Sequence, residues 1–191
     1  MRNAFRLAAF SIGLGLAAAA HAEVQIERLF LPDASPSSFA IGLPGGINFC
    51  FDPVRGAVSY VWTGGFLDVS GTRPGAGKFI NPAKLLGPVV YRESGDAPLR
   101  RGDPGRTPIV ELTGYVLRAD AIEFRYTVDG TPVREEIRAR SDGAALVRRI
   151  HVSTGTDAKW WHAVAGQPPR ELRRESGGAF VLELPLAPPA P

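Results

Sequence analysis

The stretch that decides the fold is Ile47–Val69, INFCFDPVRGAVSYVWTGGFLDV. It reads as two strands, Ile47–Asp52 and Ala57–Thr63, joined by the four-residue loop Pro53-Val54-Arg55-Gly56. Proline pre-sets φ at the first bend, and glycine supplies a left-handed residue at the close. Pairing Asp52 with Ala57 predicts Phe51 opposite Val58, Phe49 opposite Tyr60 and Ile47 opposite Trp62, all on one face. The other face then carries Asn48, Cys50 and Asp52 against Ala57, Ser59 and Val61. Such aromatic and β-branched pairs are the unit of sheet stabilisation. Behind this hairpin comes Thr63-Gly64-Gly65-Phe66-Leu67-Asp68. Paired glycines in an apolar strand mark a bulge, a bend or a close approach to the backbone. The segment is either a corner of a sandwich or barrel, or a ligand-facing bend with Trp62, Phe66 and Asp68 around it.

Working outward, Val24–Leu31 and Phe39–Leu43 read as strands on the N-terminal side. On the C-terminal side Ser70–Ala83 and Ser94–Thr107 are long polar connections, separated by a strand at Pro88–Tyr91. In Ser70–Ala83, Gly75-Ala76-Gly77-Lys78 looks superficially like a phosphate-binding loop. It fails the pattern: Thr72 stands where the first glycine belongs, and Phe79 replaces the magnesium-binding hydroxyl.

Ile109–Leu117 is a strand interrupted by Gly114. Ala121–Val128 alternates cleanly, with Ile122, Phe124, Tyr126 and Val128 facing one way. Asp129-Gly130 and Asp142-Gly143 are two-residue turn signals. They predict a meander of Ala121–Val128, Thr131–Arg140 and Ala144–Val152. Two charges interrupt its apolar face. The turns set Glu135 opposite Phe124 and Arg148 opposite Ile137, diagonal to each other, so Glu135 and Arg148 are expected to form a structural ion pair. A last strand covers Ala179–Leu184, turned through Ser176-Gly177-Gly178 onto the segment before it. No stretch has a helical period. The expected class is all-β: an antiparallel sandwich or partly closed barrel of about nine to eleven short strands.

Residues 1–22 read as a secretory signal peptide. Arg2 and Arg6 are followed by the apolar run Leu7–Ala20 and the cleavage pattern Ala20-His21-Ala22. The expected organisation is a signal at 1–22, one β domain over 23–184, and a proline-rich disordered tail at 185–191. The expected location is the periplasm or the exterior. No later stretch suits a membrane-spanning helix. The chain of 191 residues carries 22 Lys and Arg against 19 Asp and Glu. These charges are interspersed, with no basic stripe for nucleic acid.

Cys50 is the single cysteine, so no internal disulfide forms, and its place between Phe49 and Phe51 suggests an inert thiol. His151 and His162 stand in no metal-ligand spacing, no G-x-S-x-G supports a nucleophilic serine, and no catalytic residue, metal or cofactor is indicated. Trp160-Trp161-His162 is the other notable run. On a strand, adjacent tryptophans point to opposite faces, one into the core and one outward. The candidate ligand- or partner-binding residues are therefore Trp62, Phe66, Asp68, Trp160, Trp161 and His162, grouped in one aromatic cleft.

The run Ile41-Gly42-Leu43-Pro44-Gly45-Gly46-Ile47-Asn48-Phe49, with Phe51-Asp52, Tyr60-Val61-Trp62, Gly64–Asp68, Pro82–Gly87 and Phe124–Gly130, resembles a poorly characterised β-rich segment of secreted bacterial proteins. That segment often stands alongside c-type cytochrome modules. The similarity spans roughly residues 38–152. This chain has no C-x-x-C-H and cannot attach a c-type haem itself. The resemblance therefore implies an accessory partner of an exported c-type cytochrome or dehydrogenase. The leading expectation is an exported, non-catalytic binding or accessory module. The alternatives are a carbohydrate-binding or carbohydrate-acting protein using the aromatic cleft, and a structural envelope protein.

Overall fold

In the computed structural model, residues 23–72, 81–153 and 158–186 are described. Among them the chain forms fifteen antiparallel strands in four sheets, with no helix and no closed barrel. The expected signal peptide, Gly75–Lys78 and most of the expected tail lie outside the described residues.

The first large sheet has the order β1 (Gln25–Glu27), β2 (Phe39–Leu43), β3 (Ile47–Asp52), β4 (Ala57–Thr63) and β7 (Val89–Arg92). The second runs β15 (Phe180–Pro185), β12 (Ala145–Val152), β11 (Thr131–Ala139), β10 (Ala121–Val128) and β9 (Val110–Leu117). The two pack face to face. Phe51 of β3 stacks flat on Phe124 of β10, centroids 3.7 Å apart. Ile41, Phe49 and Val61 meet Ile122, Ile137 and Ile150 in the same buried cluster. Two small sheets complete the fold: β14 (Arg170–Glu171), β13 (Trp160–His162) and β8 (Leu99–Arg101), and the pair β5 (Leu67–Asp68) and β6 (Lys84–Leu85). These two- and three-residue strands account for the excess over nine to eleven. They are too short for a period-two pattern to show.

The central hairpin has the expected strand limits, and Gly56 closes the loop at φ 60°. Its register departs from expectation. Asp52 pairs with Ala57 and Phe51 with Val58, but Cys50 then faces Tyr60, Phe49 faces Val61 and Asn48 faces Trp62. Ser59 is the extra residue of a β-bulge, which reverses every side chain beyond it. Tyr60 and Trp62 therefore leave the sandwich interior and join Cys50 on the outer face. There they pack with Leu31, Ala40, Phe66 and Ala83 in a second core. The first sheet is thus buried on both faces. An apolar-everywhere strand carries no signal for which residue belongs on which side. The indole shows why the bulged register wins. On the outer face Trp62 Nε1 donates to Gly65 O at 3.1 Å and Phe66 O at 2.9 Å. Buried indole N–H groups usually find such acceptors, although the buried Trp160 Nε1 has none among the described residues.

Cys50 is fully buried and free, and burial pushes its thiol up to about 11. The Gly64-Gly65 segment is a tight corner: Gly64 has φ 105°, and Gly65 N–H donates to Leu86 O at 2.8 Å.

In the second sheet the meander has the register read from its turns: Phe124 opposite Glu135, Ile137 opposite Arg148, Arg134 opposite His151. Asp129 and Gly130 both have positive φ, 48° and 74°, as a type I′ turn demands. The second turn is looser. Only Gly143 is left-handed, and the chain closes with Arg140 N–H on Ala145 O. The last strand pairs with β12 rather than with the segment preceding it, and includes Pro185.

Candidate functional site

The six residues expected to share an aromatic cleft do not meet. Trp62 is fully buried in the outer core, with Phe66 stacked on it at 6.1 Å. Trp160 enters the sandwich interior from the third sheet and packs at 6.4 Å against Phe180. Trp161 points the opposite way on β13. Its Nε1 donates to Gly102 O at 2.8 Å, and Lys159 lies 5.9 Å from its ring centroid. Asp68 is on the surface at the end of β5. The Ser70 hydroxyl, and then the Ser70 N–H that its carboxylate accepts at 2.9 Å, hold its pKa below the usual value. The bulge at Ser59 puts Trp62 on one side of the first sheet, while Trp160 is committed to the other. A cleft joining them is excluded by that topology. Among the candidates, His162 lines a cleft of about 360 Å³ at the meeting of the two large sheets, and Asp68 lines an open one of about 660 Å³ beside Leu86.

Beneath that cleft lies a buried polar network. Glu135 and Arg148 are both inaccessible to solvent, and Arg148 Nε donates to Glu135 Oε1. Tyr126 Oη donates to the other carboxylate oxygen at 2.6 Å. Arg148 Nη2 reaches across the sandwich to Gly56 O at 3.4 Å, tying the second sheet to the turn of the central hairpin. Burial opposes the Arg148 charge, but the adjacent Glu135 more than compensates, with Glu93 adding to it, and the guanidinium pKa is raised. Burial also raises the Tyr126 phenol, reinforced by Glu135. Close by, Tyr91 Oη donates to Glu93 Oε2 at 2.7 Å, and burial and then Glu93 raise its pKa. Arg148 Nη1 and Glu93 Oε1 are buried with no hydrogen-bond partner among the described residues.

Two clefts flank the β7 edge and share Arg92. The first, of about 360 Å³, is lined by Tyr91, Arg92, His162, Gln167, Arg170 and Glu183, among others. It lies where β7 and β15, the edges of the two large sheets, approach each other. The second, of about 250 Å³, includes Asp52, Arg55, Ser59, Arg92 and Glu93 in its wall. Arg92 is anchored by Asp33 at 3.5 Å and by the Tyr60 ring, 5.3 Å to the centroid. Glu135 is locked between Arg148 and Tyr126 and does not line either cleft. Among the described residues no three His, Cys, Asp or Glu side chains gather to hold a metal ion.

Of the cleft residues, Arg92, Arg170 and Tyr91 were not expected. Tyr91 was within an expected strand, but its neighbour across the cleft comes from β13, far away in sequence. Arg170 sits after a proline-rich loop and carries no local signal.

His162 yields a prediction. Burial, then Arg148 and Arg170, depress its pKa to about 3, and its Nε2 has no partner among the described residues. The folded imidazole is neutral while the unfolded one protonates near the ordinary value of about 6.5. Its contribution to stability is complete above about 6.5 and falls with pH, by at most about 1.4 kcal/mol per unit, toward the folded value. Between pH of about 6.5 and 5, ordinary carboxylates are still ionised. Urea unfolding across that window is expected to show acid destabilisation that His162→Gln flattens. Equal slopes in the two chains would contradict a half-buried imidazole held neutral in the fold.

Residues 49–135 match a family described as a domain of unknown function, DUF6797. The match runs from within β3 to Glu135, and includes the first sheet's hairpin, Glu93 and Tyr126 but not Arg148. No curated protein matches the chain, and no solved structure does. Among the described residues, no helix is long and apolar enough to cross a membrane.

Proposed function

We propose that this chain is an exported, non-catalytic binding module that serves as an accessory to another exported protein. The cleft between β7 and β15 is its docking point. The observation that carries the reading is the arginine-rimmed cleft. Arg92 and Arg170 line it together with the uncharged ring of His162 and the phenol of Tyr91. One acid, Glu183, is in the same wall. Arginine forks suit carboxylate recognition, so the complementary surface is acidic. An exported c-type cytochrome or dehydrogenase presenting carboxylates around its redox centre has that chemistry. The carbohydrate reading depended on Trp62 and Trp160 sharing one cleft, and they are in separate cores.

The test is a pull-down from the exported fraction of the native host, comparing the wild-type chain with an Arg92→Glu/Arg170→Glu bait. A stoichiometric partner is expected with the wild type and lost with the variant, and a haem absorbance band in the eluate identifies it as a cytochrome. A wild-type bait that returns alone overturns the proposal, as does a partner retained equally by both baits.

A further inference from the structure

The side of the sandwich opposite that cleft is open. There β1 and β9 form the edges of the two large sheets, and β1 is only three residues long. β9 has eight residues, pairs among the described strands with β10 alone, and contains no lysine, no proline and one charge, Glu111. Natural proteins usually protect such an edge with charge, proline, a bulge or a cover, and of these β9 has one charge and one bulge. The other long edge, β15, carries Glu183 and ends in Pro185.

The register of β9 on β10 shows which of its side chains face inward. Val110, Leu112, Tyr115 and Leu117 stand opposite Val128, Tyr126, Phe124 and Ile122, all of which are core residues. Thr113 is the extra residue of a bulge, which is why inward positions fall on both even and odd numbers. Tyr115 and Leu117 face the core side but remain 45% and 44% exposed. The short β1 does not reach over them. Tyr115 meets the Phe39 ring edge-on, centroids 5.8 Å apart, above an open cleft of about 340 Å³ that Ile26 and Arg28 also line.

The bulge makes β9 palindromic in its facing. Take a two-fold axis between Thr113 and Gly114, with a second β9 running antiparallel alongside. Val110 then meets Leu117 and Leu112 meets Tyr115, inward residues against inward residues. Glu111 meets Val116, outward against outward, and no like charges are opposed. In an unbulged strand the same pairing would set inward positions against outward ones. Isologous contacts of this kind require that self-complementarity.

We propose that β9 pairs with β9 of a second copy of this chain, joining the two second sheets into one continuous ten-stranded sheet. The pairing satisfies the free backbone groups of the edge. It also covers Tyr115 and Leu117 with the Leu112 and Val110 of the other copy. The arrangement leaves the β7–β15 cleft free on the far side of each copy, so it is independent of the docking proposed above.

Sedimentation equilibrium of the purified chain over a micromolar-to-millimolar series tests the proposal. The wild type is expected to reach about twice the monomer mass. Tyr115→Lys/Leu117→Lys is expected to stay at the monomer mass throughout, with its thermal midpoint nearly unchanged because both positions are half exposed. The register is tested by oxidising Leu112→Cys/Tyr115→Cys, which is expected to give a covalent dimer on a non-reducing gel. Either single cysteine variant is expected to give none. A monomeric wild type, or a dimer that survives the double lysine substitution, overturns the proposal.

Discussion

Glu135→Ala is expected to destabilise the protein by about 3–5 kcal/mol, because it leaves a buried arginine charge without its counter-ion. Arg148 has no exposed atoms, and its remaining partner would be Gly56 O at 3.4 Å. Tyr126 would lose its acceptor in the same step. Removing both charges is a different matter. Apolar residues of similar volume commonly replace a buried pair at little cost or with a gain. Glu135→Leu/Arg148→Met is therefore expected to recover most of the loss, apart from the orphaned Tyr126 hydroxyl. Urea unfolding of the two variants and the parent decides the matter. A single variant within about 1 kcal/mol of the parent would show that the pair contributes no more than an exposed one. The bond from Arg148 to Gly56 adds a structural consequence. The pair stands on the second sheet and holds the turn of the first, so its loss loosens the contact between sheets rather than either sheet alone.

Gly87→Ala is the second large effect, expected at about 3 kcal/mol or more from overpacking and two broken backbone hydrogen bonds. A Cβ at Gly87 would lie 1.8 Å from Thr63 O and 2.9 Å from Thr63 C. Both are backbone atoms, so no side-chain rotation relieves the clash. The neighbours of Gly87 are fastened on either side: Gly65 N–H donates to Leu86 O at 2.8 Å, and Thr63 N–H to Pro88 O at 3.1 Å. Separating the strands enough to admit a methyl breaks both bonds. It also disturbs Gly65 O and Phe66 O, the acceptors of the Trp62 indole. Gly71→Ala is the control, since no described residue lies within 4 Å of its Cβ position. A Gly87→Ala midpoint in urea matching that of Gly71→Ala would contradict the close approach.

The two halves of the sandwich differ in how far they are legible in the residues. The meander is legible because one face is apolar and the other charged along β10. Asp129-Gly130 then fixes the offset between strands without ambiguity. From that offset alone Glu135 falls opposite Phe124 and Arg148 opposite Ile137, and an acid and a base on an apolar face have to find each other. The central hairpin has equally clear limits but no polar face. Val61 and Trp62 are both apolar, so exchanging their sides costs nothing that a pattern registers. The bulge at Ser59 was invisible for that reason, and the expected aromatic cleft depended on the unbulged register. The site that does form, around Arg92, His162 and Arg170, draws on β7, β13 and β14. Their separation along the chain leaves no local trace of their meeting.

By itself the sequence determined the all-β class, the limits of the central hairpin, the register of the meander and, through that register, the Glu135–Arg148 pair. These follow from short-range causes: period-two alternation, positive-φ turn residues, and the cost of a lone charge in an apolar layer. Only the tertiary structure decided which face of the first sheet each aromatic occupies, that this sheet is buried on both sides, and that arginines from distant strands rim one cleft. It also decided that β9 is left as an edge, with Tyr115 and Leu117 uncovered. Those outcomes depend on which sheet a strand ends beside and how far its neighbour extends over it. Both are set by the packing of the whole chain, and no local stretch of residues encodes them.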